Sequence, residues 1–307
     1  MLKSSTILSS FLFVFFLTGC KKEKEVKYSS DLIDVLGPKG KPVFDTLNIP
    51  QNLIKVVAEI SEVNTYETGV LAKGQEVSTN FENFEKLKKL ATEKDLVNLT
   101  RNKNLVVALY AANALAEKKY VHIDEVFNRL INSNAKVYTQ NGCIVGDLNI
   151  SIPFYTKYLF SLEKTEVPMD INLKKFDRMI LYNDNSDDEL INYALQNRVY
   201  ATNYRSRIEY LAFKKKNESA VFYLSNWHKA VYSNRLQKEF KDLLSQDSLR
   251  PQVYYQYVKE LLDFKNPQNN SFIISKLKKD TIWKDYGDNG VEVKWLLDRN
   301  GIYLDEN

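Results

Sequence analysis

The chain has 307 residues, 44% hydrophobic and 27% charged, a balance found in folded proteins rather than disordered ones. Ten glycines and seven prolines are too few for the many tight turns of an all-β protein, so helix is the expected element. The 43 basic and 39 acidic residues give a formal charge of +4. They are interspersed nearly everywhere, which excludes the clustered positive field that nucleic-acid binding requires.

In chain order, Met1-Leu2-Lys3 forms a short basic segment and Ile7 to Leu17 an apolar one, too short to span a bilayer as a helix. Leu17-Thr18-Gly19-Cys20 follows directly and resembles the lipobox of bacterial lipoproteins. The resemblance implies removal of residues 1–19, lipidation of the Cys20 sulfur and acylation of the new amino terminus. More than one acyl chain gives stable anchoring, since each buried methylene contributes about 0.8 kcal/mol. Residues 20–27 then read as a lipidated cysteine and a charged tether, serving either to sort the lipoprotein or to keep the anchor solvated. With Cys20 carrying lipid, Cys143 is left alone and no intramolecular disulfide is available.

Residues 28–78 predict an irregular N-terminal cap. Asp31 to Leu36 could make one helical turn before the breakers Gly37 to Pro42. Asn52 to Glu62 carries apolar residues at helical spacing, and Gly69 and Gly74 bracket a short run that could be extended. From Thr79 onward helices are expected. Thr79 and Glu82 have capping-box spacing, as do Thr92 and Asp95. Arg101 to Asn104 reads as a polar turn into a helix over Leu105 to Glu117, whose many alanines permit close approach of a neighbour.

The stretch from Thr92 to Ser133 resembles a HEAT repeat, the helical hairpin of α-solenoids. The residues that carry it are Leu96 and Leu99, the Asn102–Asn104 turn, Val106-Val107, and Ala111-Ala112-Asn113-Ala114-Leu115. Where the family has a turn Asp and a following Arg, this chain has Asn104 and Ala108, so that ion pair is not implied. A shift of 31 residues maps Leu96 to Phe127, Leu99 to Leu130, Val106 to Val137 and Ala112 to Cys143, predicting a weaker unit over about 120–146. A longer period links Leu115, Leu162, Leu211 and Leu261, and the cap signal recurs at Ser186 to Glu189. Further helices are expected over Phe154–Leu162, Leu173–Leu181, Asp187–Gln196, Tyr200–Lys214, Glu218–Trp227, Asn234–Leu244, Gln252–Phe264, Ser271–Lys278 and Val291–Leu297, with Pro251 and Pro267 near helix starts. The fold class that follows is all-α: a HEAT-like α-solenoid of stacked hairpins over 79–307, preceded by the cap.

No catalytic or metal-binding constellation emerges. Cys143 has no neighbour to activate its thiol. His122 and His228 are the only histidines, and neither has ligand spacing. Asp184 to Glu189 fails the calcium-loop pattern, with Glu189 where glycine is required, and reads as helix capping. Tyr200, Tyr204, Tyr254, Tyr255 and Tyr257 fall in amphipathic helices, and Lys214 to Lys216 is a short basic run. The expectation is a non-enzymatic, cofactor-free envelope lipoprotein, on the periplasmic face or the outer membrane, bound to the membrane through Cys20 and to another envelope protein through a helical-repeat surface. The alternatives are a glycan- or peptidoglycan-acting enzyme, with two carboxylates facing across a cleft, and a glycan-binding module with a planar aromatic row.

Overall fold

The computed structural model describes residues 40–71, 78–142, 144–196, 198–247, 249–284 and 287–304. Cys20, the Asp31–Leu36 turn, Gly74 and Cys143 lie outside the described residues. Within residues 39–307, which form one unit, helices dominate and a small three-stranded sheet sits in the N-terminal half.

Residues 40–50, irregular with a turn at Leu47 and Asn48, lead into helix α1 (Gln51–Val63), which leads to strand β1 (Tyr66–Leu71). Helices α2 (Thr79–Leu90), α3 (Glu93–Leu99), α4 (Leu105–Glu117) and α5 (Ile123–Ser133) follow. The cap of α2 lies one residue earlier than its spacing predicts. Ser78, not Thr79, accepts from the Phe81 N–H, because the Ser78 hydroxyl is itself held by the Glu67 carboxylate. Thr92 and Asp95 do form the expected capping box on α3.

Helix α4 has the expected bounds but more than a stripe of contacts. Its residues from Val106 to Leu115 are all buried, because α1, α2, α3, α5, the next helix and two strands pack around it. The alanines therefore keep five helices and a sheet close to one axis, rather than serving one neighbour. Ala108 is buried, which leaves no room for the arginine of the family pattern. Asn104 explains the other departure. Its Oδ1 accepts from Val106 and Val107, capping α4, while its Nδ2 donates to Val43 O and Asn64 Oδ1. Only an amide can accept and donate in this way; an aspartate could not. Asn102 adds a bond to Asp45 O, so the polar turn clamps the 40–50 segment.

The predicted helical unit over about 120–146 ends after its first helix. Beyond α5 the chain forms strands β2 (Lys136–Gly142) and β3 (Ile144–Asn149). The 31-residue shift carries a helix position, Val106, onto a strand position, Val137. The local pattern wins: residues of period two, with Val137 and Thr139 buried, ending at Gly142, whose φ of +60° suits the start of a tight hairpin turn. The sheet order is β1-β2-β3, β1 parallel to β2 through the helical crossover and β2 antiparallel to β3. The β1–β2 register slips between Glu67 and Leu71, where Gly69 takes φ +89°, a conformation that a side chain resists.

The remaining helices are α6 (Ser151–Ser161), α7 (Ile171–Tyr182), α8 (Asp188–Leu195), α9 (Arg205–Phe213), α10 (Glu218–Leu244), α11 (Pro251–Asp263), α12 (Pro267–Lys279) and α13 (Gly287–Arg299). Asp187, not Ser186, caps α8. The helices expected over Glu218–Trp227 and Asn234–Leu244 meet at a kink at His228, whose φ of −140° and ψ of 23° leave the helical region, so the second begins earlier than expected. Pro251 and Pro267 occupy first-turn positions, so α12 begins four residues before the expected Ser271. Phe127, Phe154, Tyr155 and Phe176 pack ring against ring where α5, α6 and α7 meet. Beside them Asp177 pairs with Arg198, and both side chains are almost fully buried.

Candidate functional site

Alternation along the strands puts Tyr66, Thr68, Val137, Thr139, Asn141, Ile144, Gly146 and Leu148 on one face of the sheet. That face floors a cleft of roughly 550 Å3. One wall is α6, through Ile152, Pro153, Thr156, Lys157 and Phe160; the rest comes from Phe81 on α2, Tyr110 on α4, and Glu189 and Tyr193 on α8.

The floor is polar and cross-linked. The Thr68 hydroxyl donates to Asn141 Oδ1 at 2.7 Å and the Thr139 hydroxyl to Gly146 O at 3.0 Å. Tyr66 accepts from Asn113 Nδ2 at 2.9 Å, and burial pushes its phenol well above the usual range. The rim is apolar: Ile144 and Phe160 are each 72% exposed, and Phe160 meets Tyr193 edge to face. Two acidic residues border the cleft, but alternation puts the Glu67 carboxylate on the other face of the sheet, so the two differ in kind. Glu67 is buried and its Oε2 is held by the Ser78 hydroxyl and the Asn80 N–H. Glu189 is exposed, and its carboxyl is pushed up by partial burial and by Asp187, against the Tyr193 hydroxyl. The cleft therefore offers hydroxyls, amides, aromatic edges and one accessible acid.

A second groove of about 1000 Å3 lies on the other flank of Lys157, among Glu117, Tyr158, Glu166, Met169 and Asp170. Its acids are engaged internally. Glu117 bridges Lys88 and Lys157, whose hydrogen bonds hold its carboxyl below the usual range despite burial. Asp170 caps α7 and accepts the Tyr158 hydroxyl, and burial pushes that phenol up to about 12. Glu166 accepts the N–H of Glu163. Exposed polar side chains remain on its rim, Lys119, Ser161 and Thr165, but it lacks the sheet floor of the first cleft.

Of the residues singled out from sequence, Glu189 reaches the cleft and the others do not converge on either depression. His122 sits exposed at the start of α5, 3.4 Å from Glu125. His228 lies at the break in α10, its imidazole held below the ordinary value by burial and by Arg205. In the acidic run, Asp184 pairs with Arg207, Asp187 caps α8 and Asp188 accepts from Asn217, so these groups are structural. Tyr254 and Tyr257 are buried, Tyr200, Tyr204 and Tyr255 half-buried, and the Tyr200 hydroxyl donates to Ala194 O. Lys216 is tied to Glu239. Among the described residues no group of histidines, cysteines and acids could hold a metal ion, and no helix is long and apolar enough to cross a membrane. The cleft residues Ile144, Phe160 and Tyr193 lie beyond the sequence reading; the period-two run before Gly142 is the clue to the sheet beneath them.

No protein-family model matches the chain, and neither a curated protein nor a solved structure matches it.

Proposed function

We propose that the chain is an envelope lipoprotein, anchored through Cys20 and tethered by residues 21–27, whose helical domain holds a protein partner in the cleft over the sheet without catalysing a reaction. In this reading the hairpins after β3 are diverged HEAT-like units that frame the cleft. The observation that carries the reading is the cleft itself: an exposed apolar rim, Ile144 and Phe160, over a floor of hydroxyls and amides. That is the mix of apolar anchors and satisfied polar groups found at protein interfaces. A pair of facing carboxylates would favour glycan hydrolysis instead. Glu67 turns its carboxylate to the other face of the sheet, against Ser78 and Asn80, leaving Glu189 as the acid of this cleft.

The test is affinity capture of the tagged full chain from envelope extracts, compared with the Ile144→Asp/Phe160→Asp variant. The reading expects a specific protein that the wild type retains and the folded variant loses. Turnover of an envelope glycan by the pure protein, or identical capture by both, would overturn it.

A further inference from the structure

The sheet treats its two edges differently. On β1 the outward N–H and C=O of Glu67 are both taken by the Tyr110 hydroxyl, at 3.0 Å each, and Gly69 O accepts from Ser78 N at 2.7 Å. That edge is closed by side chain and loop. On β3 the pairing with β2 runs without a bulge from Asn141↔Ile144 to Lys136↔Asn149. Ile150 N–H donates to Ala135 O at 2.9 Å in the same register, so by alternation Leu148 and Gly146 also bond to β2 while Val145 and Asp147 direct their N–H and C=O outward. Among the described residues nothing bonds those outward groups. An unpaired strand edge is a template for another strand, and folded proteins ordinarily cover or blunt it.

Resting on the partner-binding reading above, we propose that the partner docks by strand addition: an extended peptide segment, alternating apolar and basic side chains, pairs with the open edge of β3. Side chains on one face of the added strand continue the cleft floor beside Ile144, Leu148 and Phe160, where exposed apolar surface awaits cover. Those on the opposite face fall beside Asp147, which is exposed and has no ion-pair partner among the described residues. Lys136 shares that face but lies one strand further in, so the charge nearest the edge is the carboxylate. A second copy of this chain offers no basic side chain on β3 to meet Asp147, and the register that sets Asp147 opposite itself opposes like charges.

The test is fluorescence polarisation of the full chain in detergent with the labelled peptide Lys-Val-Lys-Ile-Lys-Val-Lys. The controls are a scrambled peptide with contiguous apolar residues and one N-methylated at alternate positions. Saturable binding is expected, at least tenfold weaker for both controls. Val145→Pro removes an outward N–H and no ladder bond, so the fold is kept and binding falls at least tenfold. Asp147→Lys is expected to shift preference toward a peptide with glutamate in place of lysine. Equal binding of the scrambled and N-methylated peptides, or no loss with Val145→Pro, overturns strand addition; so does wild-type self-association that Val145→Pro abolishes. If the envelope partner is lost with Ile144→Asp/Phe160→Asp but kept with Val145→Pro, the cleft reading stands and strand addition alone fails.

Discussion

Replacing Arg198 with leucine probes the most deeply buried charge in the described fold. The Arg198 side chain is 10% exposed and that of Asp177 4%, and the guanidinium also reaches the Tyr155 hydroxyl and Tyr193 O. In the variant Asp177 keeps the Tyr155 hydroxyl, which donates to it at 2.6 Å, but loses its counter-charge. Breaking a buried pair from one side typically costs about 3–5 kcal/mol, because the remaining charge is stranded. The pH dependence has a definite sign. Burial already pushes the Asp177 carboxyl above its ordinary value of 3.8, with Arg198 pulling it back. Without Arg198 it rises further, so the folded variant binds a proton that the unfolded chain releases, and stability recovers as pH falls through the raised folded value. Urea titrations of wild type and Arg198→Leu at several pH values between that of an ordinary aspartate and neutrality provide the assay. The deficit should be greatest at neutral pH and shrink on acidification, and adding Asp177→Asn should restore part of the loss. A deficit below about 1 kcal/mol, within the range of exposed ion pairs, that does not change with pH would refute burial of the pair.

Four other outcomes are expected. Tyr110→Phe strips the hydroxyl that serves both backbone groups of Glu67 and should lower stability by about 1–3 kcal/mol, with amide exchange at Glu67 rising in step. Glu117→Gln should flatten the acid limb of stability. The wild-type carboxyl is held below its ordinary 4.5, so its contribution is complete above that value and lost as pH falls through the folded one; chemical denaturation across that window checks it. Ala112→Leu overfills the centre of α4, where Ala112 is 0% exposed, and should cost about 1–3 kcal/mol by the same titration. Cys20→Ser should move the protein from the membrane to the soluble fraction on cell fractionation, and retention at the membrane would refute the anchor.

Local features were read well where they depended on neighbours in sequence. The Thr92–Asp95 box and the bounds of α4 follow from capping groups and from an unbroken run of helix formers. The errors fall where a distant contact outweighed the local signal. Ser78 displaced Thr79 as cap because Glu67, on the strand before, holds its hydroxyl. Over 136–149 the 31-residue repeat points to helix, while the period of two and Gly142 at φ +60° favour the strands that form.

Sequence alone was enough for a mainly helical chain and for most helix positions, since apolar periodicity, prolines and capping residues act within a turn or two of where they stand. It also carried the expectation of an anchor at Cys20, because such a signal is read as a linear string. Only the tertiary structure decided that α4 is enclosed on all sides, that β1 crosses over to pair with β2, and that Ile144, Phe160, Glu189 and Tyr193 meet over one cleft. Those residues lie on three separate elements, and nothing local to any of them requires the others. Their meeting is a product of packing, which sums weak contacts across the whole chain.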